Sequence, residues 1–204
     1  MTGAIKRVLF DMEGVLSDYD RAVRVDRMAA LSGQPADAVR EAIWGSGLEA
    51  RADAGEIGDE AYLEALGRAL HHALTRDDWL DARRASIAPK SDVIALAAKL
   101  ARRHPIAILT NNSHLVTDHI DYLNPEVGRV FGAHIYSTAA FGATKPAAQA
   151  YLRCLDAWRA RPAETLFIDD SQANVTGALE AGLHAYRFVG VQALAAELEA
   201  RGLL

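Results

Sequence analysis

The chain has 204 residues, of which 50% are hydrophobic and 24% charged, as in a folded globular protein with a large core. Its 22 basic and 27 acidic residues give a formal net charge of −5 and form no basic run, which argues against a nucleic-acid binder. The first residues, MTGAIKRVLFD, contain no long apolar stretch, so we expect no signal peptide, no membrane partner and a cytoplasmic location.

The first predicted strand ends in two acidic residues. Ile5 and residues 8–10 are apolar, as in a strand buried in a sheet, and Asp11, Glu13 and Gly14 follow directly. Ligands of open α/β sheets bind at the carboxyl ends of the strands, so these carboxylates are better placed for chemistry than for packing. One can act as a nucleophile and the other as a general acid and base. A single Asp-x-Glu is also common in solvated turns, and alone it does not decide between the two.

A long helical segment, residues 17–89, follows this strand. Apolar residues recur at helical spacing in three stretches, 22–31, 36–44 and 62–74. No part of the segment has the pattern of a strand. A crossover between parallel strands needs only about a dozen residues, so this much helix indicates an insertion. We expect hinges near 17–19 and 88–90, and a core formed by 1–16 and 90–204.

From residue 90 onward, helices and strands alternate. Helices are predicted over 92–103, 114–123, 147–158, 172–181 and 192–201. Strands are predicted over 106–109, 133–136, 165–168 and 184–188. This alternation predicts an α/β fold, in which a Rossmann-like parallel sheet carries helices on both faces.

Three of these later stretches carry polar side chains, two of them at predicted strand ends. Thr110 and Asn111 follow one strand, and Asp169 and Asp170 follow another. Lys145-Pro146 precedes a helix, with the proline expected in its first turn, where a missing N–H costs nothing. Thr and Asn also favour helix caps, and a lysine before proline means little alone. Adjacent aspartates repel each other without a cation, which indicates a metal site.

Aspartate, threonine, lysine and an acidic pair, in this order, are the four motifs of the haloacid dehalogenase (HAD) superfamily, which the sequence resembles over essentially its whole length. The resemblance is closest to the small sugar-phosphate phosphatases and the phosphatase domain of bifunctional epoxide hydrolases. It implies a Mg²⁺-dependent phosphatase that hydrolyses a small phosphorylated metabolite, with a sugar phosphate favoured, through an aspartyl-phosphate. It also implies that residues 17–89 form a cap that excludes water and selects the substrate.

By this resemblance, each motif residue has a role. Asp11 is the nucleophile and a metal ligand, and Glu13 is the general acid and base, with its backbone carbonyl on the metal. Thr110 and Asn111 bind the phosphoryl group. Lys145 neutralises the nucleophile and the transferring group, since charge on the phosphoryl oxygens needs a fixed cation.

The acidic pair completes the implied Mg²⁺ site, with Asp170 as the direct ligand and Asp169 as a partner just outside the metal ligands or bound through water. Glu13 departs from the family, because most of its phosphatases have Asp at this position. Glutamate is one methylene longer, and a displacement of about 1 Å can cost on the order of 100-fold in rate. The partition between hydrolysis and phosphoryl transfer therefore stays open.

Three alternatives remain beside the phosphatase. A 2-haloacid dehalogenase of the same fold would need no metal, and Glu13 with the acidic pair argues against it. A phosphotransferase or mutase would pass the phosphoryl group to an acceptor. A catalytically silent protein would bind the metabolite without turnover.

Within the cap, several residues are candidates for specificity: Arg21, Arg24, Trp44, Arg51, His71 and His72. The sequence carries no signal for the oligomeric state.

Overall fold

The computed structural model of the chain describes residues 4–204 and is centred on a five-stranded parallel sheet. The strands are β1 (Arg7–Phe10), β2 (Ser17–Tyr19), β3 (Ile87–Pro89), β4 (Ile106–Thr110), β5 (Ile135–Ser137), β6 (Thr165–Asp169) and β7 (His184–Arg187). The central sheet has the order β5-β4-β1-β6-β7, with every neighbouring pair parallel. The predicted α/β sheet is confirmed. The prediction for the amino terminus involves residues 1–3, which lie outside the described residues.

Helices cover both faces of this sheet. They are α1 (Arg21–Ser32), α2 (Ala36–Arg40), α3 (Leu48–Asp53), α4 (Asp59–Ala69), α5 (Arg76–Ala85), α6 (Ser91–Leu100), α7 (His114–Thr117), α8 (Ile120–Leu123), α9 (Pro125–Phe131), α10 (Ala148–Ala157), α11 (Gln172–Glu180) and α12 (Val191–Ala200). Shorter turns are the π-helical segment Glu41–Gly45 and the 3₁₀ segments Thr138–Phe141 and Pro162–Glu164. Among residues 4–204, no helix combines the length and the apolar character that crossing a membrane requires.

Alternate residues of the central strands build two separate cores. Leu9 and Phe167 face α10, where Tyr151 packs edge-on against the Phe167 ring at 5.3 Å. Phe10 points to the opposite face and meets Phe131 of α9 in a similar edge-on contact at 5.7 Å. Burying each such side chain contributes about 1.5–3 kcal/mol. Because β1 is buried on both faces, its carboxyl end is held rigidly.

A second, small sheet lies where the helical insertion joins the core. Strands β2 and β3 pair antiparallel, with Ser17 opposite Pro89 and Tyr19 opposite Ile87. The expectation that residues 17–89 contain no strand was therefore wrong. Three residues are too few for an alternating pattern to be recognised in a sequence. Between these strands the chain is helical, as predicted, and we call residues 20–86 the cap segment.

Two helix predictions in the second half also need correction. The helix expected over 114–123 is divided into α7 and α8, and α9, which begins at Pro125, was not predicted. Helix α10 begins at Ala148, so Pro146 lies before the helix rather than in its first turn. The Asn111 side chain bonds both the N–H and the carbonyl of Lys145, which holds this backbone outside the helix.

Candidate active site

The sheet topology brings three of the predicted site residues to one edge. Strand β1 lies between β4 and β6, so the carboxyl ends of all three strands are adjacent. Asp11 follows β1, Thr110 ends β4 and Asp169 ends β6. Ligands bind at this edge in open α/β sheets. Residues distant in sequence therefore meet where the sequence analysis expected them.

Lys145 joins two of these carboxylates. Its Nζ donates to Asp11 Oδ1 at 2.6 Å and to Asp169 Oδ2 at 3.0 Å, and all three residues are buried. Burial alone would lower the pKa of Lys145, but Asp11 and Asp169 outweigh it and raise the pKa above its usual value. The amine therefore stays a cation. Burial raises the pKa of Asp11 to about 7 against the opposing charge of Lys145, with Asp169 and Glu13 adding to the rise.

The acidic pair after β6 has one buried and one exposed member. Asp169 accepts hydrogen bonds from the Ser171 N–H at 2.8 Å and from Asn174 Nδ2 at 2.9 Å, besides that from Lys145. Asp170 is exposed and lies against Gly14, which has φ +89°. A Cβ at Gly14 would lie 2.5 Å from the Asp170 carboxyl group, so only glycine allows this approach.

Three carboxylates form a set that fits a divalent cation. Asp11, Asp169 and Asp170 each offer one oxygen, and these oxygens lie within 4.8 Å of one another. Oxygen-only donors of this kind are the ligands that Mg²⁺ prefers. Burial is the main cause of the raised pKa of Asp11, and the charges of Asp169 and Glu13 add to it, so a cation beside these carboxylates would favour their ionised form. The donor set is thus consistent with Mg²⁺.

Glu13 is held by a network of donors from both the core and the cap segment. Thr110 Oγ1 donates to Glu13 Oε2 at 2.9 Å, and Asn112 Nδ2 donates to the same oxygen at 3.0 Å. Arg83, on α5 of the cap segment, donates from Nη2 to Glu13 Oε1 at 2.7 Å. Sequence reasoning missed both Asn112 and Arg83. Arg83 is 70 residues from Glu13, and no local pattern marks it.

The Arg83 side chain is held by several neighbours within the described part of the chain, and only its Nε lacks a partner there. Its guanidinium stacks over the Tyr19 ring at 3.9 Å and also donates to Asn112 Oδ1 at 2.9 Å. The side chain is buried, and its Nε has no partner among residues 4–204. The planar guanidinium of arginine can stack on a ring and donate hydrogen bonds at its edge at once, which the ammonium group of lysine cannot. The contact ties the cap segment to the edge of the sheet beside Asp11.

The two residues predicted to bind the phosphoryl group, Thr110 and Asn111, form hydrogen bonds within the protein. The hydroxyl of Thr110 donates to Glu13 and accepts from Asn112 Nδ2 at 2.6 Å. The amide of Asn111 donates to the Lys145 carbonyl at 3.0 Å and accepts the Lys145 N–H at 2.9 Å. The Asn111 side chain thus shapes the Lys145 loop, and its contact with a phosphoryl group stays a prediction.

A cavity of about 340 Å³ lies between the sheet edge and the cap segment. Asp11, Glu13 and Lys145 line its floor, and the cap segment contributes Trp44 and Asp53, among others. Of the six candidate specificity residues, two line this cavity, Arg21 and Trp44. The other four do not line it: Arg24, Arg51, His71 and His72. Asp53 was not predicted, because an aspartate at the end of a polar helix resembles any solvated residue.

The site consists of a buried lysine between carboxylates, at the edge of a parallel α/β sheet and beneath a helical cap segment. This arrangement is that of a hydrolase-like site of the HAD type. The chain belongs to the haloacid dehalogenase-like hydrolase family, whose model matches residues 5–182. The predicted family is thus confirmed. A D-ribitol-5-phosphate phosphatase of Bacteroides thetaiotaomicron is 24% identical over 193 residues, which are 90% of this chain and 91% of that protein.

Solved structures have the same fold. A HAD-like family hydrolase from Porphyromonas gingivalis superposes with a TM-score of 0.80 at 24% identity, covering 96% of this chain and 98% of its own. A HAD family enzyme from Bacteroides thetaiotaomicron, solved in complex with magnesium and inorganic phosphate, superposes with a TM-score of 0.76 at 20% identity. That comparison covers 90% of this chain and 94% of the other.

Proposed function

We propose that this chain is a Mg²⁺-dependent phosphatase that hydrolyses a small phosphorylated metabolite through an aspartyl-phosphate on Asp11. The observation that carries the proposal is the buried bond from Lys145 to Asp11 beside a set of three carboxylates. The phosphatase name of one relative and the bound magnesium and phosphate of one similar structure support it. Residues 17–89 are proposed as the cap over a core of 1–16 and 90–204, in a cytoplasmic protein.

Asp11, Asp170 and Asp169 would hold the metal, with the backbone carbonyl of Glu13 as a further ligand. Bound there, Mg²⁺ supplies positive charge to phosphoryl oxygens and keeps the carboxylates ionised. Asp170 is the proposed direct ligand because it is exposed, whereas both oxygens of Asp169 already accept hydrogen bonds. Asp169 is proposed to act through water and to orient Lys145.

The proposed reaction has two displacements at phosphorus. An oxygen of Asp11 attacks phosphorus, and the bond from phosphorus to the ester oxygen breaks. Glu13, after leaving its ion pair with Arg83 and taking a proton from solvent, gives that proton to the leaving alcohol. Glu13 then takes a proton from water, which attacks phosphorus, releases inorganic phosphate and restores Asp11. Lys145 stabilises the phosphoryl oxygens as a fixed cation in a buried site. Thr110 donates its hydroxyl proton to one of these phosphoryl oxygens once its hydrogen bond to Glu13 is broken.

The test is release of inorganic phosphate from sugar phosphates, phospho-amino acids, nucleotides and an aryl phosphate, with Mg²⁺ and with chelator. We expect metal-dependent release that Asp11→Asn abolishes with the fold intact by circular dichroism. Asp156→Asn, on the exposed face of α10, is the control and keeps activity. Turnover by Asp11→Asn would overturn the mechanism. Chelator-resistant halide release, capture of the phosphoryl group by an alcohol, or binding without turnover would each favour the corresponding alternative.

A further inference from the structure

Asp53 differs from the other acidic residues that line the cavity. It is the last residue of α3, it is half-buried, and its carboxylate has no hydrogen-bond or ion-pair partner within residues 4–204. Glu49, one helical turn earlier, is bound by Arg24 in a two-pronged ion pair at 2.5 and 3.0 Å. Asp11 and Glu13 are held by Lys145 and Arg83. The carboxylate of Asp53 is therefore the one free acceptor among these four.

The position of Asp53 is nevertheless fixed relative to the sheet edge. Thr138 Oγ1, which is buried in the core, donates to the Asp53 carbonyl at 2.8 Å. Two residues later, Gly55 packs so closely that a Cβ would overlap the Ala139 carbonyl oxygen. A binding group is most selective when its support is rigid, because little ordering is then needed on binding. The carboxylate thus faces the cavity from a helix end that is packed firmly against the core.

The charges around the cavity indicate the chemistry that would satisfy Asp53. The lining contains four carboxylates, Asp11, Glu13, Glu49 and Asp53, and three cations, Arg21, Arg83 and Lys145. Asp11, Glu13 and Glu49 already have cations, so a substrate group that meets Asp53 has to satisfy that carboxyl group alone. A hydroxyl group can do this whether the carboxyl group is ionised or protonated, because it can both donate and accept a hydrogen bond. Burial, together with the nearby charge of Glu49, raises the pKa of Asp53 to about 8 against the opposing charge of Arg83.

We propose that Asp53 is a specificity-determining residue that accepts hydrogen bonds from hydroxyl groups at the end of the substrate remote from phosphorus. The substrate class is then a phosphate monoester with a polyhydroxylated tail, such as an alditol or sugar phosphate. This inference rests on the proposed phosphatase function. It assigns to the cap segment a contact that distinguishes such esters from those with apolar tails.

The test compares ribitol 5-phosphate with n-pentyl phosphate, which has the same chain length and no hydroxyl groups. We expect Asp53→Ala to lower kcat/KM for ribitol 5-phosphate about tenfold or more and that for pentyl phosphate by less than about twofold. Asp53→Asn keeps an acceptor oxygen and should fall between. Glu56→Gln, in the same turn but exposed, is the matched control and should behave as the wild type.

Each outcome is decisive. A loss in Asp53→Ala that is confined to ribitol 5-phosphate supports the inference. An equal loss on both substrates assigns Asp53 a structural role and overturns it, as does no loss on either. If the wild type hydrolyses pentyl phosphate and Asp53 has no effect, the inference alone fails. If the wild type hydrolyses neither ester nor any other member of the panel, the proposed function fails and this inference fails with it.

Discussion

Replacing Arg83 by methionine should destabilise the protein strongly, because it leaves a carboxylate without its cation. The Arg83 and Glu13 side chains are 3% and 21% exposed, and their charged atoms are 2.7 Å apart. Removing one partner of a buried ion pair costs about 3–5 kcal/mol. Glu13 keeps some contact with solvent and retains its donors Thr110 and Asn112, so we expect the lower end, about 3 kcal/mol.

The assay is urea unfolding near pH 7.5 without metal, with Arg84→Met as control. Arg84 is the adjacent residue on α5, is exposed and stacks on the Tyr122 ring at 4.6 Å, so its loss should cost less than about 1 kcal/mol. A double-mutant cycle with Glu13→Gln should give a coupling energy of about 0.5–3 kcal/mol. Arg83→Lys should recover part of the stability, because it keeps the charge but loses the stacking on Tyr19.

Two results would refute this reasoning. The first is an Arg83→Met variant as stable as Arg84→Met, which would mean that the ion pair is not desolvated. The second is a coupling energy near zero, which would mean that Arg83 stabilises the cap segment through packing alone. In either case Arg83 would not be the residue that holds Glu13 at the sheet edge.

Three further predictions test other parts of the site. At 100 times its dissociation constant, Mg²⁺ should stabilise the protein by about 2.7 kcal/mol in thermal unfolding, and Asp170→Asn should remove most of this effect. Gly55→Ala should cost at least about 1 kcal/mol more than Gly33→Ala, because both residues have positive φ but only Gly55 meets a neighbouring carbonyl oxygen, that of Ala139. Because the pKa of Asp53 is raised to about 8, the folded state binds the extra proton, so stability should fall as the pH rises from about 4 to 8, and less so in Asp53→Asn.

Each of these predictions has a result that contradicts it. Stabilisation by Mg²⁺ that is equal in Asp170→Asn would separate this carboxylate from the metal. Equal unfolding free energies for the two glycine variants would mean that the turn after α3 does not dock on the core. Parallel pH profiles of stability for the wild type and Asp53→Asn would mean that the carboxyl group is solvated.

The sheet and the edge that holds the candidate site were predictable because the central strands carry a strong signal. Residues of β1, β4 and β6 are buried on both faces, and such strands appear as continuous apolar runs that end abruptly at polar residues. The ends of these runs contain Asp11, Thr110 and Asp169, which is why the candidate residues could be named before the structure was known. Parallel topology then made their proximity inevitable.

The contacts across the cavity were not predictable, because they depend on how the cap segment sits on the core. Arg83 and Asp53 lie on helices with ordinary surface patterns, and only the docking of these helices turns them inward. Asn112 was overlooked because Asn111 precedes it, and either amide suits a strand end. Which of the two faces Glu13 is decided by the turn after β4, where the Asn112 N–H donates to the Thr110 carbonyl.

The pairing of β2 with β3 has a consequence for how such enzymes diversify. Residues 17–19 and 87–89 leave and re-enter the core side by side, and neighbouring strands lie about 4.8 Å apart. Because the two ends of the intervening segment lie close together, the core can accommodate it as it would a surface loop. Under the proposed function, a chimera that carries a relative's helices in place of residues 20–86 should inherit that relative's substrate preference. A requirement on any such graft is a cation that reaches Glu13.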